Sequence, residues 1–180
     1  MYKNKSIRIY LDDLAAKKPA PGGGSAAALA AALGAALLSM VANFTVGKDK
    51  YKQFEQEIKG ALKKSEKIRK NLLELVDLDV ITYNKVAKNK KKSLALYQKS
   101  LKEAASVPLE ITKNSLEALE LCPILEAKGN KYLVSDVHVA KALLIGAIQS
   151  AVVNVRINLP YIEDKKFVSE VNEELKRLKL

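Results

Sequence analysis

Residues 17 to 40 read KKPAPGGGSAAALAAALGAALLSM, in which two prolines and three glycines lead into a stretch made almost wholly of alanine and leucine. Proline fixes the backbone and glycine frees it, so the opening part of this segment predicts a turn. The alanines and leucines predict a helix, with Ser25 as its N-cap, that runs to about Val46. This helix decides the fold, because its composition restricts what can surround it.

The apolar composition of this helix has two explanations, a bilayer span and a buried core helix. Between Ala26 and Ala42 the only polar side chain is Ser39, so the length is close to the ~20 apolar residues of a transmembrane helix. Alanine and glycine insert poorly, and no tryptophan or tyrosine belt flanks the segment. We therefore predict a central core helix and no membrane partner, with small side chains that let neighbouring helices, or a second subunit, approach closely.

Apolar residues recur at helical spacing along nearly the whole chain, and no sustained strand-type alternation is present. The pattern predicts an all-α fold, a single multihelical domain over residues 1–180 with about seven helices around the alanine-rich helix. A break is expected near Asp77, and Pro108 is expected to kink or interrupt its helix. The other predicted helices cover residues 7–17, 50–86, 93–108, 109–126, a segment capped by Ser135 or Asp136 that reaches 159, and 167–180.

Composition excludes several classes of function. The chain has 31 basic and 20 acidic residues, a formal charge of +11, yet only four of the basic residues are arginines and there is no tryptophan. Nucleic-acid recognition favours arginine forks and aromatic stacking, so we predict no nucleic-acid partner. The single cysteine, Cys122, and the single histidine, His138, exclude an internal disulfide and a Cys/His zinc site. No targeting segment is visible, and we expect a cytoplasmic protein.

Polar residues on the two most apolar helices fall into two lines. At 100° per residue, Ser25 and Asn43 share one face of the second helix, while Asp136, Asn154 and Asn158 share one face of the long late helix. A buried polar group needs a partner or a ligand, so two such lines facing each other would frame a narrow cleft. The alternative is that these residues are helix caps and buried amides satisfied by the backbone.

The glycines before the second helix also have two explanations. Exposed amides at a helix N-terminus favour an anion or an electronegative oxygen, which makes Gly22, Gly23 and Gly24 candidate binding residues. No lysine follows them as in a Walker loop, and no strand precedes them as in a dinucleotide fingerprint. The glycines could equally form a structural turn.

Five motifs occur in an order and spacing that are specific when taken together. They are LDDLAAKKPAPGGGSAAALAAALGAALLSMVANFTVGKDKY at 11–51, DLDVITYNKV at 77–86, EAASVPLEI at 103–111, KGNKYLVSDVHVA at 128–140 and NVRINLPYI at 154–162. On these motifs the chain resembles the cyclodeaminase/cyclohydrolase family of tetrahydrofolate enzymes, over roughly residues 9–170.

The resemblance implies an all-helical homodimer that acts on a tetrahydrofolate derivative carrying a one-carbon unit and needs no metal and no further cofactor. It implies Asp79 as the catalytic carboxylate beside the substrate cation and Asp136 as the second catalytic candidate. We expect no catalytic role for His138 or Cys122. The implied substrate-binding residues are Gly22, Gly23, Gly24, Ser25, Asn43, Lys48, Tyr51, Asn130, Asn154, Arg156 and Asn158.

Two reactions fit the resemblance, and the sequence does not separate them. In a cyclohydrolase, water attacks the carbon that bridges N5 and N10 of 5,10-methenyltetrahydrofolate, and the ring opens to 10-formyltetrahydrofolate. In a cyclodeaminase, N10 attacks a formimino carbon and ammonia leaves. Both reactions require an acid/base pair. Because no formiminotransferase segment accompanies this chain, we favour the cyclohydrolase.

Departures from the family pattern leave a third alternative open. The segment VAKNKKKS at 86–93 is shorter than in the family, and Ile81 and Thr82 stand where the family often has an acid and an alanine. A helical dimer that binds folate without turnover, or acts as a structural partner, is therefore another hypothesis. Folates carry one or more glutamates, and Lys48, Lys50 or the lysines of 88–92 could attract a polyglutamylated substrate.

Overall fold

A computed structural model describes residues 1–180, and all regular elements of the protein are helices. The all-α prediction is confirmed. Short 3-10 helices cover Tyr2–Asn4, Asp49–Phe54, Lys131–Leu133 and Leu159–Tyr161. The α-helices are α1 (Ile7–Ala15), α2 (Gly23–Asn43), α3 (Glu55–Asn89), α4 (Leu94–Leu119), α5 (Cys122–Lys128), α6 (Val134–Asn158) and α7 (Lys165–Arg177).

The alanine-rich helix α2 lies at the centre of the bundle and packs mainly against α3 and α6. Its buried residues are mostly alanine, serine and glycine, so the neighbouring backbones come close. A Cβ at Gly34 would lie only 2.8 Å from Leu144 Cγ and 3.1 Å from the Ala140 carbonyl oxygen. Glycine is therefore needed where α2 and α6 approach, and the predicted central helix is confirmed.

One side of the α2–α6 pair stays apolar and exposed. Leu33, in the middle of α2, is 51% exposed, and Val153 and Ile157 on α6 are each 63% exposed. A shallow groove between the two helices runs along this side, past Ala30 and Val153. We call this surface the α2–α6 face. No other element of the chain covers it, so the chain does not enclose α2 on all sides.

The start of α2 differs from the sequence prediction. Gly22 is the N-cap residue and makes no side-chain capping bond, so Ser25 lies inside the first turn and is not the cap. An aspartate from another helix takes the place of a local cap, because Asp79 of α3 accepts the Ser25 backbone amide. The position of Ser25 is thus set by a tertiary contact.

Other helix ends also differ from the predicted ends by a few residues. α2 ends at Asn43, before the predicted Val46, and α7 covers Lys165–Arg177 with Asp164 as its N-cap. The N-cap residue of α6 is Leu133, which makes no side-chain hydrogen bond to the helix. The prediction that Ser135 or Asp136 is the N-cap is therefore wrong. Asp136 lies instead in the first turn of α6, where a negative charge is favoured by the helix dipole.

The predicted break near Asp77 is wrong, because α3 runs through it as one helix of 35 residues. Asp77 is buried, and its two carboxylate oxygens accept the backbone amides of Tyr2 and Lys3. Since these donors occupy the carboxylate, it does not compete for the amides of its own helix. The same contacts clamp the N-terminal segment to α3, two residues before Asp79.

The predicted interruption at Pro108 is also wrong, because α4 continues from Leu94 to Leu119. A proline inside a helix leaves the carbonyl four residues earlier, here that of Ala104, without its amide donor. Asn158 Nδ2 of α6 donates to this carbonyl oxygen at 3.4 Å. A side chain of a neighbouring helix thus replaces the missing backbone bond and ties α4 to α6.

Two segments, α2 and residues Lys131–Tyr161, have the length and apolar composition of a membrane span. In α2, 61% of the apolar window is buried inside the bundle. Packing against α3 and α6 accounts for that composition without a bilayer. The absence of a membrane partner stays a prediction.

Candidate active site

A cleft of about 290 Å³ opens at the first turn of α2, between α3 and α6. This volume is at the lower end of the range for small-molecule sites. The three glycines meet Asp79, Asn154 and Asn158 here, as predicted. The full lining is Pro19, Ala20, Gly22, Gly23, Gly24, Asp79, Thr82, Tyr83, Val86, Ala104, Asn154, Ile157 and Asn158.

Asp79 reaches the start of α2 because Gly24 has no side chain. A Cβ at Gly24 would overlap Asp79 Oδ1, so only glycine permits this approach. The Ser25 backbone amide donates to Asp79 Oδ2 at 2.9 Å. Oδ1 accepts no hydrogen bond from the protein, and the residue lines the cleft. One carboxylate oxygen is therefore held in place while the other is left for a ligand.

The surroundings of Asp79 strengthen its affinity for a proton. Burial raises the pKa of the carboxyl group above its usual value, and the hydrogen bond from the Ser25 amide lowers it in part. Desolvation acts in this direction because it disfavours the charged form. A carboxylate with a raised pKa is a better proton acceptor, which is the property that a general base requires.

Ser25 contributes to the site through its backbone, while its hydroxyl is used inside the protein. Ser25 Oγ donates to the Val76 carbonyl oxygen at 2.9 Å and accepts a hydrogen bond from the Tyr10 hydroxyl at 3.1 Å. Both contacts are buried, so they fix the first turn of α2 against α3 and α1. They thereby position the amide that binds Asp79.

Asn154 and Asn158 line the cleft from successive turns of α6, where helical spacing placed them together. Asn154 Nδ2 donates to the Ser150 carbonyl oxygen at 2.8 Å. Asn158 Nδ2 donates to the Asn154 carbonyl oxygen at 2.8 Å as well as to Ala104. The amide nitrogens are thus used within the protein, whereas the two Oδ1 atoms receive no donor from it.

The cleft therefore combines oxygen acceptors with backbone donors. The acceptors are the Oδ1 atoms of Asp79, Asn154 and Asn158. The amides of Gly23 and Gly24 have no intrahelical acceptor, because they belong to the first turn of α2. Such a site suits a ligand that carries positive charge and develops a polar oxygen during its reaction.

Seven of the cleft residues were not predicted from the sequence, among them Thr82, Tyr83 and Ile157. Tyr83 follows Asp79 by four residues, so both lie on the same side of α3, and its ring is 48% exposed. Thr82 Oγ1 donates to the Leu78 carbonyl oxygen at 3.0 Å and is largely buried. Helical spacing from Asp79 was the signal that could have identified Tyr83.

Tyr51 and Asn130 lie at the opposite end of α2 and are bonded to each other and to backbone groups. Asn130 is 6% exposed; its Nδ2 donates to the Phe44 carbonyl at 3.3 Å, and its Oδ1 accepts the Tyr132 amide at 3.2 Å. The Tyr51 hydroxyl accepts the Lys131 amide at 3.1 Å and donates to Asn130 at 3.5 Å. These bonds join the loop after α2 to the turn before α6.

The remaining predicted residues do not reach the cleft. Asp136 precedes Asn154 by eighteen residues on α6, which is about 27 Å at ~1.5 Å per residue. Asn43, the last residue of α2, and Lys48, in the segment after it, are exposed at the same distant end. Arg156 is exposed on the outside of α6. The fold therefore divides the predicted residues between two ends of the bundle.

His138 and Cys122 lie outside the cleft. Cys122 is fully buried, and burial raises the pKa of its thiol to about 11. His138 is exposed on α6, 3.8 Å from a Glu126 carboxylate oxygen. No group of three or more His, Cys, Asp or Glu side chains is close enough to hold a metal ion, and the metal-free site stays a prediction.

The match to a known family covers nearly the whole chain. The model of the family described as Formiminotransferase-cyclodeaminase matches residues 6–177. The chain belongs to this family. The resemblance inferred from the five sequence motifs is thereby confirmed, and the cleft contains residues from four of those motifs.

Three relatives indicate how this family fold is used. A methenyltetrahydrofolate cyclohydrolase of Methylorubrum extorquens is 37% identical, over 99% of this chain and 90% of its own length. A crystal structure of formiminotetrahydrofolate cyclodeaminase from Thermotoga maritima matches with a TM-score of 0.95 and 35% identity, over 99% of this chain and 90% of that one. A formimidoyltransferase-cyclodeaminase of Sus scrofa is 29% identical, and the match covers 97% of this chain but 34% of the relative.

Proposed function

We propose that this protein is an enzyme of tetrahydrofolate one-carbon metabolism, and that it hydrolyses 5,10-methenyltetrahydrofolate to 10-formyltetrahydrofolate. The observation that carries this proposal is the half-buried carboxylate of Asp79. Its Oδ2 accepts the Ser25 backbone amide, and its Oδ1 has no donor from the protein. The full-length similarity to a methenyltetrahydrofolate cyclohydrolase supports the same assignment.

The cleft chemistry fits a substrate that is already a cation. The amidinium of methenyltetrahydrofolate would lie against the oxygens of Asp79, Asn154 and Asn158, which attract positive charge. Water attacks the carbon between N5 and N10, and Asp79 Oδ1 accepts its proton. Asp79 then returns this proton to N5 as the carbon–N5 bond breaks, and the hydroxyl of the adduct loses its proton to solvent as the carbonyl forms, which leaves the formyl group on N10. The amides of Gly23 and Gly24 are placed to hold the oxygen of the tetrahedral adduct.

The reaction requires neither an electron carrier nor an activated group, because the substrate supplies its own electrophilic carbon. We therefore propose a site with no metal and no cofactor, in which the only ligand is the folate. The cytoplasmic location and the lack of nucleic-acid and membrane partners are retained as predictions from composition.

We propose a homodimer in which the α2–α6 face is the subunit interface. That face exposes Leu33, Val153 and Ile157, and an apolar face of this kind marks an interaction surface. A two-fold axis near the middle of α2 would set the helices of the two subunits antiparallel. The partner subunit's Asp136 and the partner subunit's Lys48 would then approach this cleft, which a single subunit leaves small and incomplete.

A second candidate is the cyclodeaminase reaction, which the structural match to the Thermotoga maritima enzyme favours. In that reaction N10 attacks the formimino carbon on N5, and the amino group departs as ammonia. The same groups would serve, with Asp79 taking the N10 proton and an acid delivering a proton to the leaving nitrogen.

The test is the loss of 5,10-methenyltetrahydrofolate absorbance with purified protein, corrected for spontaneous hydrolysis. We expect faster decay with the wild type and a loss of ~10²–10⁴-fold with Asp79→Asn, which removes the proton acceptor. An Asp12→Asn variant is the matched control, because it removes the same charge from an exposed position that does not line the cleft.

The remaining outcomes distinguish the alternatives. Release of ammonia from formimino-tetrahydrofolate without methenyl hydrolysis would establish the cyclodeaminase. Binding of either folate without turnover would establish a member that has kept the fold and lost the reaction. Decay that Asp79→Asn leaves unchanged would overturn the role of this carboxylate.

A further inference from the structure

Asn158 has two backbone acceptors in the wall of the cleft, and they decide which end of its side-chain amide faces a ligand. Its Nδ2 donates to the Asn154 carbonyl oxygen at 2.8 Å and to the Ala104 carbonyl oxygen at 3.4 Å. With the amide reversed, Oδ1 would lie against both of these oxygens, and an amide oxygen has no hydrogen to donate. The two acceptors therefore turn Nδ2 into the protein and Oδ1 outwards.

The Oδ1 atom of Asn158 is open to the cleft. It accepts no hydrogen bond from the protein, and the residue is half-buried and lines the cleft. No fully buried side-chain oxygen or nitrogen lacks a hydrogen-bond partner, so an Oδ1 without a donor must be accessible. An oxygen in this position attracts a cation, whereas an NH2 group would repel it. The orientation of this amide thus sets the sign of the local field.

One of the two acceptors is available because residue 108 is a proline. In a regular helix the amide of residue 108 would bind the Ala104 carbonyl oxygen, but proline has no amide hydrogen and its ring crowds that carbonyl. Pro108 is fully buried inside α4, while Ala104, one turn earlier, lines the cleft. The carbonyl that Pro108 leaves free is therefore within reach of Asn158 at the edge of the cleft.

Asn154 differs from Asn158 in the number of acceptors it has. It lies one turn earlier on α6, and its Nδ2 donates only to the Ser150 carbonyl oxygen, at 2.8 Å. Asn158 makes the equivalent bond within α6 and a second bond to α4. The bond to the Ala104 carbonyl oxygen thus distinguishes Asn158 and couples its orientation to the sequence of α4.

We propose that Pro108 is a positioning residue for the substrate cation, because the carbonyl it frees holds the Asn158 amide with its oxygen towards the cleft. Pro108 does not line the cleft, so it acts through the Ala104 carbonyl and Asn158. This inference rests on the proposed function, since it takes the amidinium of methenyltetrahydrofolate as the cation. It gives the motif EAASVPLEI at 103–111 a role in binding, although only Ala104 of that motif lines the cleft.

Replacing Pro108 by alanine restores an amide at position 108. That amide competes for the Ala104 carbonyl oxygen, so the Asn158 amide turns more freely. Water attack neutralises the amidinium, so the contact with the cation is stronger before the reaction than in the transition state. Losing this contact should raise KM about tenfold, the lower end of the effect of a hydrogen bond to a charged group. The value of kcat should stay within about twofold.

The experiment measures KM and kcat for 5,10-methenyltetrahydrofolate with Pro108→Ala, Asn158→Ala and the double variant, at a temperature where every variant is folded. A second variant, Pro108→Val, restores the same amide with a larger side chain. Two matched controls lie outside the cleft. Pro123→Ala removes a proline from the exposed start of α5, and Asn114→Ala removes an asparagine whose Nδ2 donates to a carbonyl four residues earlier, as Asn158 does.

We expect Pro108→Ala and Pro108→Val to raise KM about tenfold, while both controls keep the wild-type KM. The double variant should have the KM of Asn158→Ala, because both substitutions remove the same interaction. Additive rises in KM, or a rise in Pro108→Ala that Pro108→Val does not share, would overturn the positioning role. A fall in kcat with unchanged KM would also overturn it. Each of these results leaves the proposed hydrolysis intact.

Two further measurements separate orientation of the amide from a general distortion of the cleft. Tetrahydrofolate, whose reacting nitrogens are uncharged, should inhibit the wild type and Pro108→Ala equally, and a matching loss of its affinity would overturn the positioning role. The side-chain amide signals of Asn158 in NMR spectra are identified by their absence from Asn158→Ala. They should shift in Pro108→Ala and not in Pro123→Ala, and unshifted signals would contradict the proposal.

A wild type that does not hydrolyse methenyltetrahydrofolate would overturn the proposed hydrolysis, and calorimetric titration with the same folate would then replace kinetics. A Kd that rises about tenfold in Pro108→Ala, and not in Pro123→Ala, would support the positioning role in a protein that binds the cation without turnover. Equal Kd values in the wild type and Pro108→Ala, or no binding by the wild type, would overturn it.

Discussion

At the first turn of α2 the Asp79 carboxylate keeps one oxygen without a protein donor, whereas beyond the last turn the Asn130 side chain is bonded at both its oxygen and its nitrogen. Both ends of the helix carry the polar residues of the family motifs. Only at the first end do unpaired carboxylate and amide oxygens line a cleft that a ligand can enter. At the second end Tyr51 and Asn130 hold two loops together, while Asn43 and Lys48 are exposed.

This contrast teaches that residue type alone does not separate binding from support. Tyr51 and Asn130 look like ligand residues, yet their bonds to Phe44, Lys131 and Tyr132 give them a structural task. A buried polar group whose hydrogen bonds are all made within the protein stabilises the fold. One with an unpaired donor or acceptor indicates a binding site. Substitutions at the two ends of α2 should therefore affect activity and stability differently.

The largest effect is expected at the open end, from Gly24→Ala. The added Cβ would overlap Asp79 Oδ1 and displace the carboxylate. A shift of about 1 Å in a catalytic group can reduce the rate by ~10²-fold, and overpacking costs ~1–3 kcal/mol of stability. Steady-state kinetics and thermal unfolding would measure both effects. Gly22→Ala is the control, because a Cβ there meets nothing within 4 Å; equal losses in the two variants would contradict the close-approach argument.

At the closed end, Asn130→Ala should reduce stability and spare the chemistry. The substitution leaves the Phe44 carbonyl and the Tyr132 amide without their partner, at a cost of ~1–3 kcal/mol in the free energy of unfolding. Urea unfolding would measure this loss, and kcat of the folded variant should stay within about twofold of the wild type. A folded Asn130→Ala protein with no activity would show that Asn130 takes part in the chemistry and is not only structural.

A smaller effect is expected in the pH dependence of stability. The pKa of Asp79 is raised in the folded state by burial, above the ~3.9 of an unfolded aspartate. Between the pKa of the unfolded state and that of the folded state, the folded state binds more protons than the unfolded state. The free energy of unfolding therefore falls as pH rises through this range, and it stays lower at neutral pH. Asp79→Asn should therefore melt a few degrees higher than the wild type at pH 7, with the difference vanishing near pH 3. A lower melting temperature at pH 7 would show that the carboxylate stabilises the fold.

The smallest effect concerns Cys122, which begins the short helix leading to Asn130. Its thiol is buried, with a pKa of about 11, so a thiol reagent at pH 8 should leave the native protein unmodified for hours. Asn130→Ala should speed the labelling, because loosening the closed end exposes α5 more often. Identical labelling rates would indicate that Asn130 and α5 open independently.

Sequence reasoning predicted the fold class and the open end well. Helical spacing placed Asn154 beside Asn158, and the motifs placed Asp79 with the glycines, because these relations depend on local periodicity or on a recognised pattern. The distance between Asp136 and Asn154 follows from their spacing along one helix and could have been predicted. Which of the two lies beside Asp79 could not, since it depends on how α6 packs against α2.

The errors have a common physical cause. Asp77 was predicted to break α3, and Pro108 to interrupt α4, because each residue weakens a helix locally. In both places a group distant in sequence supplies the compensation: the Tyr2 amide for Asp77, and the Asn158 side chain for the carbonyl that Pro108 leaves free. Local propensity does not report partners that arrive through tertiary structure.

The clamp between the N-terminal segment and Asp77 makes the cleft depend on the first residues of the chain. Trimming Tyr2 and Lys3 would remove both donors of a buried carboxylate that lies two residues before Asp79 on the same helix. The uncompensated charge would favour local unfolding of that part of α3. A peptidase that cuts only a few residues from the surface could therefore inactivate the cleft without touching any residue that lines it.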